Sequence, residues 1–175
     1  MMIYNQRFML CPFTKYNLQD LRRVFLQQDI APLVGSPTLK GEKPPITFLK
    51  QQANNPQKYL YFLSICNSKT KWVEGFISVE AGTGYPVQFG LLLSRRGQGL
   101  ATSVLTTLLR GLPPSHPPYV TALCPNNNSA ARQVLTRAGF TFTCTVSPSV
   151  QNPVQVFQYN RVPGQPVYTG YSQLL

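Results

Sequence analysis

Leu91 to Arg110 reads LLLSRRGQGLATSVLTTLLR, an apolar strand-like run that breaks at Arg95-Arg96-Gly97-Gln98-Gly99 and continues at once as an amphipathic helix. A glycine-rich turn between strand and helix leaves several backbone N–H groups pointing outward at the positive end of the helix dipole. Such a turn is a cradle for a pyrophosphate, so the chain is expected to hold a phosphorylated cofactor.

The spacing narrows the choice. A P-loop needs a lysine and a hydroxyl residue after its last glycine, where Leu100 and Ala101 stand; the dinucleotide fingerprint fails for want of a third glycine before Ser103 and Val104. What fits is R-x-x-G-x-A, as Arg96, Gly99 and Ala101. On these residues the chain resembles the GNAT superfamily of N-acetyltransferases, whose acetyl-CoA pyrophosphate loop has the pattern Q/R-x-x-G-x-G/A after the fourth strand.

Two further stretches carry the resemblance. Asn128 to Phe140, NSAARQVLTRAGF, reads as an N-capped helix with a glycine stop before a strand, and Asn128, Ala131, Gly139 and Phe140 match the family's N-x-x-A/S…G-F. Arg7-Phe8-Met9-Leu10-Cys11-Pro12, with Asn17 before Leu18-Gln19-Asp20-Leu21, is similar to the R-L-x-L-R-P…D-x-x-x-L opening of the subgroup that acetylates ribosomal-protein N-termini. Val73–Val79 resembles that subgroup's I-G-x-I-x-L strand, and Gln88-Phe89-Gly90-Leu91 its E-I-G-Y. The resemblance covers about residues 6 to 160.

It implies an α/β chain with the GNAT acyl-CoA N-acyltransferase fold, a mixed twisted sheet of about seven strands with four helices. The domain is expected over residues 1–161 with a C-terminal tail over 162–175, rich in proline and glycine. Two neighbouring parallel strands splay apart in this fold and leave main-chain groups to bind the pantetheine arm. By resemblance these are the strand ending at Leu93 and the strand Tyr119–Cys124. The cofactor set so implied for acetyl-CoA is Leu91, Leu92, Leu93, Arg95, Arg96, Gly97, Gln98, Gly99, Leu100, Ala101, Thr102 and Asn128. A backbone N–H near Leu92 or Leu93 would polarise the thioester carbonyl, and Arg95 and Arg96 would meet the CoA phosphates.

The usual proton carriers of the family are absent. Its tyrosine acid falls on Leu135, the subgroup's serine on Ala131, and its acidic residue on Gln88. Amine attack on a thioester still needs a base and an acid. Glu80, at the end of a strand, and Ser129, beside the missing acid, are the candidate catalytic residues; Cys124 is a third nearby group, and His116, in a proline-dense loop far from the cofactor, has no assigned role.

Along the chain, Arg7–Pro12 reads as a strand and Leu18–Gln28 as a helix capped by Asn17, with Leu18, Leu21, Val24 and Phe25 on one face. A loop over 29–44 precedes a helix from Pro45 to about Ala53. Tyr59–Cys66 and Lys71–Glu80 form strands joined by a hairpin turn at Asn67-Ser68-Lys69-Thr70, and a turn at Ala81-Gly82-Thr83-Gly84 leads to the cofactor strand. Tyr119–Cys124, Thr141–Ser147 and Val154–Asn160 complete the strands.

At 175 residues with 43% hydrophobic side chains the chain can bury a core without staples. Its four cysteines lack a C-x-x-C pair and meet a single histidine, which argues against zinc and for buried thiols in a reducing compartment. No membrane span or secretory leader is expected, which points to the cytoplasm. Sixteen Lys and Arg against five Asp and Glu give a net charge of +11, a field that attracts polyanions and repels polycationic acceptors. A tRNA, a ribosome or DNA is the expected macromolecular partner besides acetyl-CoA. Three functions remain open: an acetyl-CoA-dependent N-acetyltransferase, a nucleic-acid-modifying GNAT, and a degenerate GNAT used as a binding module.

Overall fold

The computed structural model describes residues 2–12, 18–27, 55, 57–82, 84–147 and 153–164. Strands β1 (Ile3–Tyr4), β2 (Phe8–Pro12), β3 (Tyr59–Asn67), β4 (Val73–Glu80) and β5 (Val87–Leu91) form an antiparallel sheet in that order. The hairpin between β3 and β4 turns where expected: Asn67 Oδ1 accepts from the amides of Lys69 and Thr70 at 2.9 and 3.0 Å.

Successive side chains of a strand face opposite ways, and this sheet buries both faces. Leu10, Leu63, Ile77, Val79, Val87 and Leu91 pack against α2 (Leu100–Gly111), which presents Val104, Leu105 and Leu108, all with no exposed surface. Phe62, Val73 and Phe76 face α1 (Leu18–Phe25) and its Leu21, Val24 and Phe25, with ring centroids of Phe25 and Phe76 5.1 Å apart. Each such side chain contributes about 1.5–3 kcal/mol on burial, so both helices are fixed by packing.

A second sheet holds β6 (Tyr119–Pro125), β7 (Thr141–Val146) and β8 (Val154–Asn160) in the order β6-β8-β7. Helix α3 (Ser129–Arg137) links β6 to β7. Asn128 Oδ1 caps it by accepting from the Ala131 amide at 3.0 Å, and its end closes with the Phe140 amide on the Leu135 carbonyl at 3.0 Å. Leu135 joins α3 to the core under α2.

Among the described residues the sheets meet at one parallel bridge, Pro86 with Thr121. Thr121 fixes it with its amide on the Gly84 carbonyl at 3.1 Å and its hydroxyl on the same oxygen at 2.8 Å. Beyond this point β5 and β6 run unpaired and leave a cleft.

Several expectations are corrected. The single sheet of about seven strands is eight strands in sheets of five and three, with three α-helices among the described residues; the helix expected near 45–53 lies outside them. The two-residue β1 has no alternation to betray it. The cofactor strand ends at Leu91 rather than Leu93, because the Leu92 amide closes the ladder on the Glu74 carbonyl at 2.8 Å and Leu93–Arg95 then curl into a 3-10 turn. Helix α1 ends at Phe25, and Gln27 turns off it toward the cleft. Cys11 and Cys144 are half-buried rather than buried. Residues 165–175 of the expected tail lie outside the described set.

Candidate active site

The turn from Gly97 to Gly99 is built by two left-handed glycines, with φ +74° and +72°. Gly99 is the N-cap of α2 and carries no capping side chain. Consequently the amides of Gly97, Gln98, Gly99, Leu100, Ala101 and Thr102 find no acceptor among the described residues; the first internal bond of the helix is Ser103 to the Gly99 carbonyl at 3.1 Å. These donors sit together at the positive end of a twelve-residue helix, an anion-binding geometry. Arg7, read from the sequence only as part of an opening motif, reaches this turn and donates to the Gln98 carbonyl at 3.0 Å.

Register defines the cleft wall. Leu92 donates to Glu74, and Glu80 donates to the Pro86 carbonyl at 2.9 Å, so the even-numbered residues of β5 bond toward β4. In an antiparallel ladder the alternate residues must then aim their N–H and C=O groups the other way. Phe89 and Leu91 therefore present main-chain groups to the open cleft, as does Leu93 beyond the strand, while Val87 follows directly on the Pro86–Thr121 bridge that closes it.

The two amides named from the sequence for carbonyl polarisation are both engaged: Leu92 by Glu74, and Leu93 by the Gln27 side-chain oxygen at 2.8 Å. The cleft-facing amides are those of Phe89 and Leu91. Gln27 had no sequence signal as a site residue, because its role depends on α1 ending three residues short of expectation. Its Nε2 donates to the Leu91 and Val24 carbonyls, each at 3.2 Å.

The two arginines differ. Arg95 forms an ion pair with Glu74, a carboxylate only 5% exposed that also accepts from Asn67 Nδ2 at 2.9 Å. That pairing anchors the 3-10 turn to β4. Arg96 lies at the cleft mouth, with Nε on the Leu91 carbonyl at 3.1 Å and a terminal nitrogen on Gln27 Oε1 at 3.2 Å.

Glu80 stands at the closed end of the cleft, where its carboxylate accepts from Gln88 Nε2 at 2.9 Å. Burial raises its pKa above the ordinary carboxylate range, opposed by the charge of Lys58. Ser129 is exposed on the outer side of α3, past the far end of β6. The two proton carriers named from the sequence are thus at opposite ends of the cleft. Asn128 uses its side chain as the α3 cap. Cys124 points its thiol at the Asn128 carbonyl at 3.5 Å, and burial raises its pKa, which keeps it protonated. His116 hydrogen-bonds the Tyr61 hydroxyl and stacks on that ring at 5.1 Å, in the loop before β6.

A five-stranded antiparallel sheet beside a three-stranded one, with helices packed on them, superposes on solved structures of GNAT acetyltransferases. The chain has the GNAT acetyltransferase fold. A GNAT acetyltransferase from Bacillus anthracis superposes with TM-score 0.73 at 12% identity, covering 92% of this chain and 99% of that one. The ribosomal-protein-S5-alanine acetyltransferase of Vibrio fischeri gives 0.70 at 11%, covering 95% and 100%. The microcin C7 self-immunity acetyltransferase MccE, solved with acetyl-CoA and AMP, gives 0.68 at 16%, covering 89% and 93%. No protein-family profile and no curated protein matches the chain. Among the described residues of this GNAT fold, no helix is long and apolar enough to cross a membrane.

Proposed function

We propose that this chain is an acetyl-CoA-dependent N-acetyltransferase whose acceptor is an amine on a macromolecule. The observation that carries the reading is the run of amides from Gly97 to Thr102 without an acceptor among the described residues, at the mouth of a cleft where the Phe89 and Leu91 amides of β5 face away from β4. The amides suit a diphosphate, and the strand edge suits an extended amide-bearing arm. MccE, with the same fold, was solved with acetyl-CoA bound.

Acetyl-CoA supplies the acetyl thioester. The chain's own part is to place the Phe89 and Leu91 amides beside the carbonyl, hold the phosphates with the turn and Arg96, and accept the ammonium proton of the acceptor at Glu80, directly or through a water. With leucine at 135 and alanine at 131, neither position that supplies the acid in the resembling family offers one, and the departing thiolate takes its proton from solvent. Leu92, Leu93, Gln98, Leu100 and Arg95 shape the turn, and Asn128 holds α3 at the cleft's open end.

Glu80 gives a pH prediction. Its raised folded-state pKa means the folded chain binds more protons than the unfolded one above the ordinary carboxylate pKa, so this group favours folding at acid pH and loses that contribution as pH rises through the raised value. As a base it works only when ionised, so kcat/KM should climb with pH across the same window. Glu80→Gln is expected to remove that acid limb and lower kcat about 10²–10⁴-fold. A pH profile that keeps its acid limb in the variant excludes Glu80 as the base.

The acceptor is proposed to be presented by a polyanion in the cytoplasm: tRNA, a ribosome or DNA. All five acidic residues precede position 81, whereas residues 81–175 carry six arginines and no Asp or Glu. On one face of α3, Ser129, Arg132, Gln133, Thr136 and Arg137 line a shallow, open surface depression of about 330 Å³. Arginine and hydroxyl groups without a competing carboxylate suit a phosphodiester backbone. An Arg132→Gln, Arg137→Gln double variant should bind tRNA more weakly at every salt concentration and flatten the log–log salt slope by about 2, with acetyl-CoA affinity unchanged. An unchanged slope removes this face from the interface. The function as a whole is tested by mass spectrometry for acetylated product after incubation with acetyl-CoA and total tRNA, duplex DNA or ribosomes. Cofactor binding without any product would favour the binding-module alternative, which the missing family acid also supports.

A further inference from the structure

The Leu91 carbonyl and the Leu93 amide bracket Leu92 on the cleft side, and in a parallel ladder these two groups bond to the N–H and C=O of one residue of the neighbouring strand. Here no strand supplies them. The Gln27 carboxamide does, donating through Nε2 to Leu91 at 3.2 Å and accepting through Oε1 from Leu93 at 2.8 Å. Its remaining bonds tie it to α1 through the Val24 carbonyl and to the turn through Arg96. A side chain thus presents one donor and one acceptor where an amide-bearing ligand would lie, on a wall whose neighbouring main-chain groups at Phe89 are open.

We propose that Gln27 is a displaceable stand-in for the amide-bearing arm of the acyl carrier, holding the Leu91–Leu93 edge in its bonded geometry until the arm takes the same two groups. The inference rests on the acetyl-CoA reading of the cleft and adds to it a residue that competes with the cofactor. Exchange keeps the Leu93 amide and the Leu91 carbonyl bonded at both stages, while Arg96 Nε stays on the Leu91 carbonyl at 3.1 Å throughout. It also ends the bond from Arg96 to Gln27 Oε1, on the side where the phosphates would arrive. Gln27 is a positioning residue in this scheme and touches no reacting atom.

The test measures acetyl-CoA affinity by calorimetry and hydrogen exchange at the Leu93 amide, in wild type, Gln27→Met and Gln27→Ala. Methionine keeps the length and apolar contacts of the side chain but lacks both amide groups, so it separates the hydrogen bonds from packing. Without ligand, Leu93 should exchange about three- to tenfold faster in both variants, and acetyl-CoA should bind them about three- to tenfold tighter, the range of one to two ordinary hydrogen bonds. Saturating acetyl-CoA should restore Leu93 protection in all three proteins. Weaker binding by both variants would make Gln27 a support of the site and overturn the stand-in. So would tight binding to wild type that leaves the Gln27 side-chain amide resonances unmoved. Failure of all three proteins to bind acetyl-CoA would instead bring down the cofactor reading itself, while the ligand-free exchange difference at Leu93 would still report the Gln27 bond.

Discussion

Replacing Gly99 with valine is expected to weaken acetyl-CoA binding about 30-fold or more without unfolding the chain. Gly99 holds φ +72° at the start of α2, and a Cβ there meets no atom within 4 Å, so the substitution causes no clash. The penalty is conformational: a β-branched residue in the left-handed region costs of order 1–3 kcal/mol. Because no neighbour presses on that position, nothing holds the strained form, and the turn relaxes by rotating its peptides. Rotation turns the Gly97–Thr102 amides away from a common point, and about 2 kcal/mol of lost binding corresponds to about 30-fold in Kd. A control exists in Gly82, at φ +105° and also without neighbours within 4 Å. Gly82→Val should carry similar backbone strain outside the turn and leave Kd within about twofold. Calorimetry on both variants decides the matter; equal affinities for wild type and Gly99→Val would remove the turn from the binding site.

Gly75→Val should be the most damaging single change to the fold near the cleft. A Cβ at Gly75 would lie 2.3 Å from the Gly90 carbonyl oxygen and 2.7 Å from Leu91 Cδ2. Gly75 faces Leu91 across the β4–β5 pair, and the Leu92-to-Glu74 bond makes this a position without direct hydrogen bonds, where strands approach most closely. A backbone carbonyl cannot swing aside as a flexible side chain would. The pair must open, and with it the strand whose free edge forms the cleft wall. Overpacking of this kind costs about 3 kcal/mol or more, or a Tm lower by about 6–12 °C for a chain of this size. A melt within about 2 °C of wild type would mean that β4 and β5 are not in this register.

The layers of the fold could be read because their chemistry is periodic. Leu21, Val24 and Phe25 repeat at helical spacing and do bury one face of α1, while the alternation along Phe8–Pro12 sorts side chains between two cores. The turn at Gly97–Gly99 was legible because only glycine tolerates both left-handed positions, and the α3 cap because Asn128 precedes a helix that stops at Gly139. What escaped depends on contacts between segments distant in sequence. The end of β5 at Leu91 is set by Glu74 and its partner Arg95, 21 positions apart. Gln27 reaches the cleft across a separation of 64 residues, and no local pattern marks it. The two sheets are joined by the bridge of Pro86 with Thr121, a contact between distant segments that no strand's own sequence marks.

A titration of ¹⁵N-labelled protein with coenzyme A, followed amide by amide, tests the central claim most directly. The account predicts that the Gly97–Thr102 resonances shift first and furthest, together with Phe89, Leu91 and Leu93 along the β5 wall, while the β7 edge at Thr141–Val146 stays still. Saturation at millimolar coenzyme A with those turn and strand amides unmoved would contradict it.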